Sequence, residues 1–224
     1  MMESVKREYR STLRADQAAR TRRTVVTAAA EMFVERGFAG TTIDAVATRA
    51  GVSRKTVFSA AGGKIDLLAL AVDRAVAGDD ESIPLADRDD VRAALNHDDP
   101  AELLAGWARR LVGIDERVGP LFRALEVAAE SDDSALELLT QYQRRRLAGA
   151  RAVVDRLTAL NALRAAVKRT DAIDIAWLAA DPVLYDRFVV VRGWSTRRFR
   201  GWLTDLLCTQ LLRTSSGSDD APSR

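Results

Sequence analysis

The stretch from Ile43 to Ala60 constrains this chain more than any other part of it. Two short apolar stripes at helical spacing are separated there by one turn, Gly51-Val52-Ser53. Ile43, Val46, Ala47 and Ala50 fall at i, i+3, i+4 and i+7, the spacing of one buried helix face. Thr41 or Thr42 caps this helix, and Asp44 in its first turn suits the helix dipole. Gly51 ends it, as glycine does just past a C-terminus, and Val52 packs in the turn. Ser53 is a good N-cap for a short helix over about 54–60. An earlier helix is expected over 18–36, with Val25, Val26, Ala29, Ala30, Phe33 and Val34 on one side and Gly37 as its stop. Another begins near Lys64 and carries Leu67, Leu68, Leu70, Ala71 and Val72. Two short helices joined by a glycine turn, the second one basic, form a helix-turn-helix pattern.

The remaining sequence also reads as helical. Ala, Leu and Arg dominate the 224 residues, and all three favour helix. No alternating stretch flanked by turn dipeptides marks a hairpin. The one β-like run, Phe188-Val189-Val190-Val191, fits either a strand or a buried helix face. Helices are expected at about 100–116, 120–131, 133–160, 171–180, 183–192 and 196–213, with Pro84, Pro100, Pro120, Pro182 and Pro222 at breaks. Asp181 can cap the helix opening at Pro182, with proline at its first position. Residues 78–100 are acidic and turn-rich, a linker with a short helix around 88–95. The expected fold is all-α. It comprises a flexible basic arm (1–17), a three-helix helix-turn-helix domain (18–64), a larger helical domain (65–214) and a disordered tail (215–224).

Charge sorts these segments. Residues 1–64 hold twelve Lys/Arg against six Asp/Glu, a net +6 in a chain of net charge +2, which leaves −4 for the remainder. A basic segment on a mildly acidic body suggests that the first part alone meets a polyanion; a solvated N-terminus without a partner is the other reading of the charge. A helix fits the major groove of a duplex and brings its N-terminal residues to the base edges. Here that helix opens with Ser53-Arg54-Lys55-Thr56. Arg54 or Lys55 suits guanine N7 and O6, while Ser53, Thr56 and Lys64 suit phosphates. Thr42, at a helix N-terminus, offers its hydroxyl and backbone N–H to a further phosphate. Arg7, Arg10, Arg14, Arg20, Arg22 and Arg23 make the arm a candidate for minor-groove or phosphate contacts, with a solubilising tail as the alternative.

Other functions find little support. No run of eighteen apolar residues suggests a membrane span, and no apolar segment near the N-terminus suggests a signal peptide. Cys208 is the only cysteine, so no intrachain disulfide forms, and a reducing cytoplasm is the expected compartment. His97 is the only histidine and sits in the acidic linker, so paired Glu-x-x-His metal motifs are missing. Gly62-Gly63-Lys64 lacks the earlier glycine and the following Ser/Thr of a phosphate loop. The chain is not expected to be an enzyme, and no cofactor or metal is expected.

The run Ala28-Ala29-Ala30-Glu31-Met32-Phe33-Val34-Glu35-Arg36-Gly37-Phe38, then Thr41-Thr42-Ile43-Asp44-Ala45-Val46-Ala47, Ala50-Gly51-Val52-Ser53, Thr56-Val57-Phe58 and Lys64, resembles the TetR family of transcriptional regulators almost without gaps. Gly193-Trp194-Ser195 with Phe199 and Trp202-Leu203 is similar to the last helix of many members. The resemblance implies a homodimeric DNA-binding regulator on a palindromic operator, usually a repressor, released by a small-molecule ligand. It also implies a ligand-binding C-terminal domain whose last two helices form a four-helix interface with a second copy. The chain departs from the family pattern at Phe58-Ser59-Ala60-Ala61-Gly62-Gly63, where tyrosine, any residue, tyrosine or histidine, then phenylalanine are usual. Phe58 keeps a ring without the hydroxyl, Ala60 and Ala61 lose phosphate-touching and packing side chains, and the glycines add backbone freedom. These departures admit a second reading: a diverged all-helical ligand-binding or protein-interaction protein with weak or no sequence-specific DNA binding.

In the larger domain, Trp107, Leu111, Phe122, Leu125, Tyr142 and Trp177 are candidates to line an apolar pocket between helices, with core packing as the competing role of each. Arg110, Glu126, Gln141 or Arg145 are candidates for its polar groups. Trp177, Leu184, Phe188, Phe199, Trp202 and Leu206 are candidates for the dimer interface, with intrachain core as the alternative.

Overall fold

A computed structural model describes residues 2–78 and 97–213, excepting the side chains of residues 2–14. The short helix expected near 88–95 and the tail from 215 lie outside the described residues. Within them every regular element is helical: α1 (Met2–Arg36), α2 (Ile43–Ala50), α3 (Arg54–Ala61), α4 (Lys64–Ala77), α5 (Pro100–Ala129), α6 (Asp133–Ala159), α7 (Arg169–Ala179), α8 (Pro182–Tyr185) and α9 (Thr196–Leu211). The chain divides into two compact units, Met1–Ser82 with Arg117–Gln141 and Ile83–Glu116 with Tyr142–Arg224.

The first unit is built on α1, against which α2, α3 and α4 all pack. Val25, Val26, Ala29, Met32 and Phe33 form its buried face, and the Phe33 ring stacks on Phe38 with centroids 5.9 Å apart. Val46 and Ala47 from α2, Val57 and Ala61 from α3, and Leu67, Leu68, Ala71 and Val72 from α4 complete this core. Residues 2–17, in the stretch expected as a flexible arm, are instead part of α1, a single helix of 35 residues. Residues 1–36 contain neither glycine nor proline, so nothing local ends the helix upstream of residue 18. The boundary expected between residues 64 and 65 also moves. α4 groups with the first unit because its buried stripe packs on α1, and Arg117–Gln141 joins them. Arg117 donates from Nε to the Ala75 carbonyl at 2.9 Å and from Nη2 to that of Val76 at 3.3 Å, which satisfies carbonyls at the end of α4.

Pro120, expected at a break, lies inside α5. Proline removes one helical hydrogen bond. Val118, Leu121, Phe122 and Leu125 are all buried around it, however, and their packing carries the helix through. Pro182 does mark a break. Asp181 accepts from the Val183 backbone N–H at 3.1 Å and starts α8 with proline in its first turn. The β-like run that follows is neither strand nor α-helix: Asp186–Val191 forms a π-helical turn.

The second unit has its own core, in which Leu103, Leu104, Ala108, Val153, Val154, Leu157 and Ala176 are buried with α9. On α9 the buried stripe is Phe199, Leu203, Leu207 and Leu211, one residue per turn. Phe188 from the π turn packs against Trp194 (4.6 Å between centroids), Trp202 (4.7 Å) and Phe199 (6.0 Å), fastening that turn onto α9.

Candidate functional site

The turn between α2 and α3 is built by its caps. Thr42, rather than Thr41, is the N-cap of α2, its hydroxyl accepting from the Ala45 N–H at 3.2 Å. Thr41 is buried and donates its hydroxyl to the Gly37 carbonyl at 2.8 Å. Gly51 closes α2 at φ +67°, a left-handed conformation that costs any residue with a Cβ about 1–2 kcal/mol. Ser53 then caps α3, accepting from the Thr56 N–H at 3.1 Å, and the two hydroxyls lie 2.8 Å apart.

These caps set which residues face outward. Val57 and Ala61 anchor α3 in the core, while Thr42, Ser53, Arg54, Lys55 and Phe58 are exposed and Thr56 is half-buried. Arg54 is not loose. Its guanidinium donates to the Asp44 carboxylate at 2.7 Å and lies 5.6 Å from the centroid of the exposed Phe58 ring. Lys55 has no partner among the described residues. The N-terminal turn of α3 thus presents one oriented guanidinium, one unengaged ammonium and a bare aromatic ring on a single short helix.

Lys64 is placed differently from the other six. Its ammonium donates to the Phe38 carbonyl at 3.0 Å and sits 4.1 Å from the centroid of the Phe38 ring. It therefore ties the start of α4 to the turn that follows α1, an attachment invisible to sequence spacing. The glycines before it are ordered by geometry. Gly62 adopts φ +80°, and a Cβ there would come 2.5 Å from the Asp66 carboxylate. That same carboxylate accepts from the Gly63 N–H at 2.8 Å, so Gly62-Gly63 forms a tight entry to α4 rather than a loose link. Arg49 stitches α2 to α1 by a two-pronged contact with Glu35, at 3.0 and 2.7 Å, and a longer one with Glu31. That fork holds the Glu35 carboxyl below its ordinary pKa and the Arg49 guanidinium above its own.

The candidate ligand residues fall into both units. Trp107, Leu111, Tyr142 and Trp177 belong to the second, whereas Phe122 and Leu125 belong to the first and are buried in it. Sequence reasoning missed the charged residues that share the second unit's helix faces with them. Asp115 is one turn beyond Leu111 on α5, Arg146 one turn beyond Tyr142 on α6, and Asp181 four residues beyond Trp177. Asp115 is only 2% exposed. Burial, together with the Asp181 charge, pushes its carboxyl well above the ordinary range, against the opposing pull of Arg146.

Among the candidate interface residues, Phe199 is fully buried within its own chain and so belongs to the core. Trp177, Leu184, Phe188, Trp202 and Leu206 are partly buried against that core. The large apolar side chains left most open here are Leu178, Val190 and Val191. A surface groove of about 560 Å³ is lined by Trp194, Arg198, Trp202 and Asp205, with the Arg198 guanidinium 3.9 Å from the Trp194 ring centroid.

No curated protein matches the chain. Among solved structures, SmeT, the repressor of the Stenotrophomonas maltophilia multidrug efflux pump SmeDEF, is similar at 19% identity and a TM-score of 0.62, over 90% of this chain and 96% of its own. The same protein in complex with triclosan is similar at 18% identity and a TM-score of 0.62, covering 91% and 98%. A Mesorhizobium loti protein assigned to the TetR-family transcriptional regulators is similar at 20% identity and a TM-score of 0.60, over 86% and 95%. These likenesses concern the fold. The sequence itself is matched at residues 25–71, the caps, glycine turn and buried stripes of α1 to α4, by the family model of the bacterial regulatory proteins of the tetR family.

Proposed function

We propose that the chain is a cytoplasmic, homodimeric transcriptional repressor that binds a palindromic operator through α3 and leaves it when a small molecule occupies the second unit. The observation that carries this reading is the outward face of α3. A helix fixed by Val57 and Ala61 exposes Ser53, Arg54 and Lys55 at its N-terminal end, the end that meets base edges in a major groove. Thr42 and Thr56 are the candidates for phosphates beside it. Lys64 contributes as the strut between α1 and α4. The effector half of the reading draws on SmeT, which is described as a repressor and has been solved with triclosan. A dimer follows from operator symmetry, since two recognition helices one turn apart on a duplex require two chains.

Selection of binding sites from random duplex DNA by the full chain tests the reading. The expected result is an inverted repeat bound more tightly as salt falls, with binding abolished by Arg54→Ala combined with Lys55→Ala. Equal, weak affinity for all sequences would overturn it.

A further inference from the structure

We propose that the second unit carries a binding site for an organic cation, formed by Asp115, Asp181 and Trp177 and held closed in this structure by Arg146 acting as an internal stand-in for the ligand. The proposal rests on the reading of this unit as the effector-binding part of a regulator and names the chemical class of its ligand.

Three observations meet at one place. Arg146 places its guanidinium 4.6 Å from the centroid of the Trp177 ring and 2.8 Å from an Asp181 carboxylate oxygen. A cation on an aromatic face with a carboxylate beside it is how proteins recognise ammonium and guanidinium groups. Asp115 is a buried carboxyl within electrostatic reach of both Arg146 and Asp181, and its Oδ2 has no hydrogen-bond partner among the described residues. The Nε of Arg146 is buried and likewise unpartnered. Buried polar atoms are rarely left in this state, and two in one cluster mark a place where a further polar group fits.

The charges select the ligand. Two carboxyl groups act on one guanidinium, so an anion reaching Arg146 would be opposed by both carboxyls, whereas a cation would satisfy Asp115 and compete with Arg146 for Trp177 and Asp181. Trp107 and Leu111, on the same face of α5 as Asp115, supply apolar surface for the body of such a ligand. Asp181 is also the cap of α8, so a cation drawn to it acts at the start of the helices that lead to α9.

The test uses the full chain without DNA, with phenyltrimethylammonium as probe, tert-butylbenzene as its uncharged isostere and benzoate as the anion. Binding is read by tryptophan fluorescence and by calorimetry in two buffers of different ionisation enthalpy. The cation is expected to bind at least about tenfold more tightly than either control. Because it stabilises the ionised form of Asp115, it should expel a proton on binding, and its affinity should rise with pH. Asp115→Asn should abolish both the proton release and the preference. Arg146→Met, which keeps the apolar stem but removes the competing charge, should bind the cation more tightly than the natural chain. That gain cannot come from a damaged fold, so it remains decisive if the Asp115 variant proves unstable. No preference for the cation, or weaker binding by Arg146→Met, would overturn the proposal. A chain that recognises an operator but shows no cation preference keeps the regulator and loses this site. A chain that binds the cation as described with no change in operator affinity keeps the site and loses its role as effector switch.

Discussion

At the scale of single residues, the proposed recognition surface depends on how one arginine is held. Asp44 sits in the first turn of α2, where a carboxylate favours the helix dipole, and it also grips Arg54 at 2.7 Å. A guanidinium fixed from behind by a carboxylate and flanked by the Phe58 ring presents its remaining donors in one direction, as paired contacts to guanine require. Asp44→Asn loosens that hold and removes a negative charge that would face the duplex. Affinity for non-specific DNA should therefore rise, while the ratio of operator to shuffled-sequence affinity falls by about tenfold, the low end of what an oriented arginine contact contributes. Titrations of both duplexes at one salt concentration measure the ratio; an unchanged ratio would show that Asp44 does not orient Arg54. The cap residues Thr42 and Ser53 and the left-handed Gly51 could be read in the sequence because each acts within four residues of its own position. Lys64 could not be, since its partner Phe38 lies 26 residues away. Asp115 was hidden for a related reason: the charges that act on it, Arg146 and Asp181, are distant from it in sequence.

At the scale of helices, apolar periodicity placed α2, α3, α4 and α9 to within a few residues, because each carries one buried stripe and a stop signal. It failed where packing overrides a local signal. Pro120 is accommodated inside α5, and α1 extends to Met2 with no apolar stripe to announce it. The Arg49 fork to Glu35 is the main ionic link between α1 and α2, and it carries a pH signature. Glu35 has its pKa lowered in the folded chain, so its contribution to stability is complete above the unfolded value of about 4.3 and is lost as pH falls through the lower folded value. Glu35→Gln should therefore unfold at a lower urea concentration than the natural chain near pH 6, and the gap should close on acidification to about pH 3. Urea midpoints at several pH values measure this. A gap that does not vary with pH would mean that the link is not ionic.

For the whole molecule, the proposed operator reading needs two chains, and the apolar surface on the last helices is the proposed meeting place. Val190 and Val191 are each 62% exposed and Leu178 56%, while Trp202 and Leu206 are only partly covered by their own chain. The π-helical turn at Asp186–Val191 buries none of its own residues; it directs Phe188 onto α9 and leaves the two valines outward. In a two-fold dimer the same patch appears on both copies, so a charge placed there meets itself or its neighbour across the axis. Val190→Glu with Val191→Glu should yield monomers in sedimentation while helical content is retained. Because the second recognition helix is then no longer tethered, affinity for the full inverted repeat should fall by about a hundredfold or more, whereas affinity for an isolated half-site should stay where it was. Phe199→Ala separates packing from pairing. That ring is fully buried within its own chain, so its loss should cost stability by about 3–5 kcal/mol rather than dissociate a folded pair. A double glutamate variant that remains dimeric would move the interface away from this turn, and retention of full operator affinity by a monomer would remove the need for a second chain.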